Sequence, residues 1–584
     1  MCELSPAELA SAQALAEMFT AIDGGNSFRL EAGAGAGKTY SLIKALNHLV
    51  QNRTVEFLNK QRKIACITYT NVAKNEIRER TDNHPVIYAD TIHAFSWNFI
   101  KSFQAKLRDL MPELGDKWVT RIVEAGGIDS QKVIYDLGFP KIDQETITLH
   151  HDDVIKLMSF LLVLPKFQTL LKARFPIIFI DEYQDTNKGL ATAIVENLID
   201  NDSGILIGLF GDHWQKIYGK DACGLIDSEQ GKIIEIGKSA NFRSDKNIVH
   251  CLNNMRPELP QHESDVESEG NISIYHSNAW GGDRRGGGHW AGDLPEDVSH
   301  DYFELVKVKM TQEGWDFDSK NTKILMLTNN VIASEQGYKE LADCFKYSED
   351  YLKKNDPYIK YFVEVIEPVV ASFEAREYGE LFQVINQKFP QLQCHNDKRL
   401  WVENLNRINE IRSNGTIDDM LAFLIETNKP RLSNKIQQLE ERYQRLLGEV
   451  VEDLEDRDSK FLTKITSLKR VSYRQVIQLA KFIDDKTPFS TKHGVKGAEF
   501  DNVLVVLGRG WNQYNWNQML EFMESGYPDN KKDTFERNRN LFYVACSRAK
   551  HNLTLLITQK LSDEALDRLK YIFGEAQVIG EPIV

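Results

Sequence analysis

Residues 32–39 read AGAGAGKT, the spacing of a phosphate-binding loop with alanine in the first glycine position. The small residues Ala32, Gly33, Ala34, Gly35, Ala36 and Gly37 let backbone N–H groups close around a β-phosphate at a helix N-terminus, where the helix dipole also favours negative charge. Lys38 would then reach the β- and γ-phosphates, and the Thr39 hydroxyl would ligate Mg²⁺. A second set of chemical residues follows the apolar run 176–180, where the chain reads Asp181-Glu182-Tyr183-Gln184-Asp185. A buried parallel strand delivers such carboxylates at its C-terminal end, where a doubly wound sheet places catalytic groups. There Asp181 would hold Mg²⁺ through water, and Glu182 would orient or deprotonate an attacking water. A third apolar run, 205–210, closes on Gly211-Asp212-His213-Trp214-Gln215, a place from which a polar side chain can sense a γ-phosphate. His213 reads as a polar loop residue rather than a metal ligand, because no second ligand stands at a useful spacing. These segments describe a chain that binds a nucleoside triphosphate.

A phosphate loop needs a strand before it and a helix after it. Residues 27–30 supply the strand candidate and residues 41–50 the helical periodicity. A further amphipathic helix is expected over 4–20, opened by Ser5-Pro6, and its Gln13 lies shortly before the loop. Residues 63–69 form a buried-strand pattern running into a helix over 70–80, with Thr70 as a good cap. A strand ending in Thr68 and Tyr69 can present donors to a phosphate and a ring to a base. Residues 96–174 are mostly helical in pattern, with Val154, Leu157, Met158 and Leu161 at helical spacing, as in an inserted subdomain. Later strands are expected at 323–328, 500–507 and 553–557, a helix at 538–550, and charge-rich helical sequence from 334 to 485. The low-complexity stretch 279–292 (AWGGDRRGGGHWAG) reads as a flexible surface loop.

At 584 residues the chain exceeds a single core and suggests three or four domains. Its 42% hydrophobic and 27% charged content is that of a soluble globular protein. No apolar run approaches a membrane span, and MCELSPAELA lacks the basic and apolar regions of a signal peptide, so no membrane partner is expected. Seven cysteines lie far apart with no Cys-x-x-Cys, which argues against a disulfide framework, a zinc ribbon or an iron–sulfur cluster and suits a reducing cytoplasm. The net charge of −14 leaves nucleic-acid binding open, since a local basic groove can hold phosphates on an acidic protein.

Eight segments occur in order: AGAGAGKT, ITYTNVAKNEIRER, DTIHAFS, FIDEYQDTN, LFGDHWQKIYG, SANFRS, STKHGVKGAEFDNV and NRNLFYVACSRAK. Spread from residue 32 to residue 550, they make the chain resemble the UvrD/Rep-type superfamily 1 DNA helicases. The resemblance implies an α/β fold of two RecA-like P-loop NTPase cores with parallel sheets, each carrying a mainly helical insertion. It places the first core at 1–95 and 170–238 with its insertion at 96–169, and the second core at 239–335 and 486–584 with its insertion at 336–485. It implies ATP and Mg²⁺ at the site, and single-stranded or tailed duplex DNA as partner. The implied activity is 3′ to 5′ helicase or translocase work in DNA repair, recombination or anti-phage defence. The alternative is an ATPase or sensor subunit beside a separate nuclease, with little unwinding of its own. By the same resemblance Gln215 senses the γ-phosphate, Arg243 and Arg548 reach across from the second core, Glu499 contacts the ribose, Phe242 stacks on the base and Gln13 reads adenine. Thr68, Tyr69, Asn71, His93, Thr491 and His493 fall where the family touches single-stranded DNA. Two positions depart from the pattern: Lys220 stands where the family carries a base-stacking tryptophan, and Tyr40 where an arginine often follows the phosphate loop.

Overall fold

The structure, a computed structural model, describes residues 4–136, 139–217, 221–326, 329–385, 394–448, 456–491, 497–509 and 514–582. Helix α1 (Pro6–Asp23) starts at a capping box in which Ser5 Oγ accepts from Glu8 N (3.3 Å) and the Glu8 carboxylate accepts from Ser5 N (2.8 Å). Strand β1 (Phe28–Ala32), buried at every position, leads through the phosphate loop into α2 (Lys38–Asn59). That helix runs beyond the expected end at 50, because Phe57 continues its buried face. Next come β2 (Ile64–Thr68), α3 (Asn71–Arg80), β3 (Ile87–Thr91) and α4 (Ile92–Ile100). Thr70 caps α3, its hydroxyl accepting from Ala73 N at 3.1 Å.

The insertion that follows is mainly helical but also holds three short strands, β4 (Lys132–Tyr135), β5 (Lys141–Ile142) and β6 (Thr146–Leu149), in the order β4-β6-β5. Sequence pattern did not announce them; they are too short for alternation to register. The chain then enters β7 (Ile177–Asp181), β8 (Leu206–Gly211) and β9 (Ile234–Lys238). These complete a six-stranded parallel sheet of order β3-β2-β7-β8-β1-β9. β2, β7 and β8 are buried along their whole length, which is why each reads as a continuous apolar run. β1 and β7 are separated only by β8, so the phosphate loop and Asp181-Glu182 emerge at the same C-terminal edge.

The remaining strands are β10 (Ala240–Asn241), β11 (His262–Glu263), β12 (Asn271–His276), β13 (Thr322–Met326), β14 (Phe489–Thr491), β15 (Phe500–Leu507), β16 (Ala549–Ile557) and β17 (Val578–Gly580). The chain packs as two compact units, one of Met1–Gly281, Val495–Val503 and Trp511–Glu581, the other of Gly282–Gly494, Leu504–Gly510 and Pro582–Val584. In the first unit β12 pairs in parallel with β16 and β17. In the second, β13 pairs in parallel with β14, and helices supply most of the rest, with a buried Lys469–Glu440 ion pair (2.7 Å) inside them. The architecture is α/β, with the parallel-sheet RecA-like cores and helical content that the resemblance implies.

Two local expectations are corrected. The helix expected over 538–550 spans Lys532–Cys546, and β16 begins already at Ala549. Ser547 and Arg548 turn the chain, their side chains bonding back to Val544 O at 3.1 and 3.0 Å, before the buried run 553–557 joins the sheet. The glycine-rich stretch is cross-tied rather than loose: Arg285 N donates to Asp293 O (2.9 Å) and Gly292 N to Arg285 O (3.0 Å), with the Arg285 guanidinium 3.7 Å from the Trp290 ring centre. No single helix among the described residues is long and apolar enough to cross a membrane.

Candidate active site

The phosphate loop, 32–39, forms one wall of a cleft of about 350 Å³ within the first unit, together with Tyr40, Glu182, Gln215, Phe242, Arg243, Glu499 and Arg548. Gly35 adopts φ +76° and Gly37, the cap of α2, φ +73°, a region closed to most side chains. A Cβ on Gly35 would also fall 2.6 Å from Asn241 Oδ1 and 2.9 Å from Arg243 Cβ, so glycine lets the SANFRS segment approach. That segment grips the loop: Phe242 N donates to Gly35 O (2.9 Å) and Asn241 Nδ2 to Ala34 O (3.2 Å). Gln261 Nε2 donates to the same Ala34 oxygen (3.1 Å), while Ala34 N donates to the Tyr543 hydroxyl (3.3 Å).

Lys38 Nζ is paired with Glu182 Oε1. Burial works against the charge of Lys38, but the carboxylates of Glu182 and Asp181 outweigh it and hold the ammonium above the ordinary lysine range. Glu182 sits at φ +51°, in the left-handed region immediately after β7, which turns its carboxylate back toward the loop. Thr39 on the first turn of α2 and the buried Asp181 at the end of β7 offer hard oxygens of the kind Mg²⁺ takes, so the donor set fits that ion. Glu31, Asp212 and His213 also converge. Arg29 (3.2 Å from Glu31) and Arg256 (2.6 Å from Asp212) already balance those carboxylates, which argues against a second cation there.

Gln215 is held through its neighbours. Its Nε2 donates to Asp212 Oδ2 at 2.9 Å, and its Oε1 accepts from Arg548 Nη2 at 3.4 Å. Arg548 is 1% exposed and also donates to Val544 O (3.0 Å) and Ala498 O (3.2 Å). Burial, and then the charge of Arg243, push its guanidinium down to about 9. Arg243 donates to Ser547 O (2.9 Å) and to Glu499 Oε2 (3.0 Å). Burial alone would raise the Glu499 carboxyl, but Arg243 and Lys550 hold it below the usual carboxylate range. The rings of Tyr40 and Phe242 are 45% and 44% exposed beside the cleft, where a base face can meet them. Gln13 is not among the residues that line it: the buried face of α1 is Ala7, Ser11, Ala14, Met18, Ala21 and Ile22, and Gln13 lies on the exposed face, bonded to Glu17 (3.0 Å).

The described residues expected on DNA fall in both units. In the first unit Thr68 ends β2 buried, its hydroxyl donating to Thr70 O (3.2 Å), and Asn71 is exposed at the start of α3. Tyr69 is half-buried against the apolar cluster of the sheet, and burial pushes its hydroxyl far above the ordinary tyrosine range. His93 stacks on His151 with ring centres 3.3 Å apart, and burial, followed by His151, pushes it down to about 4. Thr491 ends β14 in the second unit, while His493 lies outside the described residues, as does Lys220.

Several residues that line the cleft or brace it from behind were not singled out from sequence. Arg80, the last residue of α3, lines it. Lys238, fully buried at the end of β9, donates to Ser41 Oγ (2.7 Å) and Gly37 O (3.2 Å), and burial pushes it down to about 8. Asn241 and Tyr543 stood inside quoted segments, so a signal existed for them; Lys238, Arg256 and Gln261 carried none beyond their polarity.

Residues 18–221 match the family model described as an AAA domain, and residues 296–560 match the UvrD-like helicase C-terminal domain. The chain belongs to the UvrD-like superfamily 1 helicases. Among curated relatives, Gabija protein GajB of Bacillus cereus strain HuB5-5 is 25% identical, over 96% of this chain and 96% of that protein. The Gabija protein GajB of B. cereus strain VD045 is 22% identical, over 94% and 96%. The ATP-dependent DNA helicase PcrA of Staphylococcus epidermidis is 24% identical, but over only 43% of this chain and 40% of that protein. Membership of the family makes the chain a helicase-type ATP hydrolase.

Proposed function

We propose that the chain hydrolyses ATP under the stimulus of single-stranded DNA, moves 3′ to 5′ along it, and separates duplex at a tailed end. One observation carries this: a single cleft gathers the phosphate loop, Glu182, Gln215, Arg243 and Arg548. Lys38 is tied to Glu182. Phosphate oxygens would replace that carboxylate as the partner of the ammonium, leaving Glu182 to take a proton from the attacking water at its freed oxygen. Thr39 and Asp181 would hold Mg²⁺, which when bound neutralises phosphate charge. Gln215 and the two guanidinium groups would stabilise charge gathering on the γ-phosphate. Phe242 and Tyr40 would take the base face and Glu499 the ribose, with Thr68, Tyr69, Asn71, His93, Thr491 and His493 along the DNA track. The domain limits remain as proposed from sequence: cores at 1–95 with 170–238 and at 239–335 with 486–584, insertions at 96–169 and 336–485. The test is phosphate release with and without a single-stranded oligonucleotide, then strand displacement on 3′- and 5′-tailed duplexes. Stimulation and a preference for the 3′ tail are expected; displacement from 5′ tails alone would overturn the polarity.

A second reading has its own support. Similarity to two Gabija GajB proteins runs nearly end to end, whereas similarity to PcrA covers less than half of either chain. On that ground the chain would serve as a cytoplasmic ATPase or sensor subunit beside a separate nuclease in anti-phage defence, with little unwinding of its own. DNA-stimulated hydrolysis without strand displacement, together with co-purification of a nuclease, would select this reading over the first.

A further inference from the structure

Arg256 closes the helix Lys246–Met255 and is 2% exposed, yet it takes no part in the cleft lining. Its Nη1 donates to Asp212 Oδ1 at 2.6 Å and its Nη2 to Glu31 Oε2 at 3.5 Å. The guanidinium carbon lies 5.5 Å from the centre of the Trp214 ring, whose other neighbours are Tyr543 (5.5 Å between ring centres) and the Arg539 guanidinium (3.8 Å). Burial opposes the charge of Arg256, and Asp212, then Tyr543 and Glu31, outweigh it and keep the group charged.

Asp212 is wholly buried, and what it does with the rest of its bonds gives Arg256 its reach. One oxygen, shared with Arg256, also accepts from Trp214 N (3.0 Å); the other accepts the Gln215 amide (2.9 Å). The Asp212 backbone N–H donates to Gln184 Oε1 (3.1 Å), and Gln184 Nε2 donates in turn to Glu182 Oε2. Two side chains of the cleft, Glu182 and Gln215, are therefore aimed from the same aspartate. That aspartate is fixed by one buried cation carried on the helix after SANFRS. The same cation holds Glu31, the residue immediately before the phosphate loop.

We propose that Arg256 is a positioning residue for ATP hydrolysis, setting Asp212 so that Glu182 and Gln215 meet the γ-phosphate and the attacking water together. Because it acts on the arrangement of the reacting groups and not on phosphate binding, its loss lowers turnover while leaving nucleotide affinity in place. The inference rests on the roles given above to Glu182 and Gln215, and the two fail separately: Glu182→Gln tests the base whatever Arg256 does.

The experiment uses the full chain with three variants: Arg256→Lys, Arg256→Ala, and the double Arg256→Gln with Asp212→Asn. The double variant removes the Arg256–Asp212 pair together, and Glu31 keeps Arg29 at 3.2 Å, so it guards against a fold lost to an unpaired ion. Each is measured for kcat and KM with saturating single-stranded oligonucleotide, for affinity toward a fluorescent ATP analogue, and for thermal midpoint. The expected result for Arg256→Lys and for the double variant is analogue affinity within about threefold of the parent and kcat lower by about 10- to 100-fold, the loss that misplacement of reacting groups brings. Parental kcat in a folded Arg256→Lys or double variant overturns the proposal. So does a fall in kcat matched by an equal fall in analogue affinity, and so does failure of both variants to fold, since either result makes Arg256 a stabilising ion pair only.

Discussion

Arg548→Lys separates the charge of this residue from its shape. The guanidinium satisfies three acceptors at once, Val544 O, Ala498 O and Gln215 Oε1, at 3.0, 3.2 and 3.4 Å. A lysine ammonium is a point donor on a flexible stem and cannot span that fan, so two of the three acceptors lose their partner. Each unsatisfied buried acceptor costs about 1–3 kcal/mol, partly recovered by the new ammonium, so a stability loss of about 1–3 kcal/mol is expected. Turnover should suffer more. Losing one aligned donor to developing charge costs about 2.7–4 kcal/mol, or roughly 100- to 1000-fold in kcat. Burial and Arg243 already push Arg548 down to about 9. Lysine starts lower than arginine, so the same surroundings bring its ammonium close to neutrality. Residual turnover of the variant should therefore fall between about pH 7 and 8, where the parent holds. The assay is steady-state phosphate release with saturating oligonucleotide across that range, run beside a thermal melt. A variant with parental melting and kcat within about threefold of the parent would refute the placement of Arg548 at the γ-phosphate.

Other expectations follow from the same geometry. Lys38→Ala should cut turnover by at least about 100-fold by removing the cation on the β- and γ-phosphates, as read by phosphate release. Tyr69→Ala should weaken single-strand binding roughly ten- to hundredfold, since stacking contributes about 1–3 kcal/mol per base; oligonucleotide anisotropy beside a melt checks it, and a fall in melting temperature without loss of affinity would make Tyr69 a core residue only. Lys238 is held at about 8, below its unfolded value, so the unfolded chain binds more protons between about pH 8 and 10. Its contribution to stability is thus lost as pH falls through 8 and recovered as pH rises. The stability difference, parent minus Lys238→Met, should grow from pH 7 to pH 10 in denaturant titrations; a flat difference would show that the lysine is not desolvated.

What could be read from sequence was local. The phosphate loop and Asp181-Glu182 are contiguous, and each announces its chemistry by spacing within a few residues. The apolar runs of β2, β7 and β8 follow from burial on both faces, so the sheet was legible strand by strand. Partnerships across the chain were not. Ala34 meets Tyr543 from 509 positions away and Arg256 meets Glu31 from 225, and no local pattern encodes either. Gln13 shows the converse, since proximity in sequence to the loop did not bring it to the cleft: the apolar stripe of α1 decides which face is buried. The helix ending at Cys546 was overrun because SRAK continues a plausible helical pattern, whereas the turn at Ser547-Arg548 and sheet pairing, with Asn271–His276 among the partners, draw the chain out of it.

Whether the cleft hydrolyses ATP when single-stranded DNA engages the chain is decided by phosphate release from the parent and from Glu182→Gln, each with and without a single-stranded oligonucleotide, with binding of a fluorescent ATP analogue measured on the same preparations. The isostere keeps the shape of the carboxylate but cannot take the proton of the water. The expected outcome is a parent rate that rises with the oligonucleotide, and a variant that binds the analogue yet releases no phosphate in either condition. Hydrolysis by Glu182→Gln at the parent rate, or a parent rate indifferent to DNA, would contradict it.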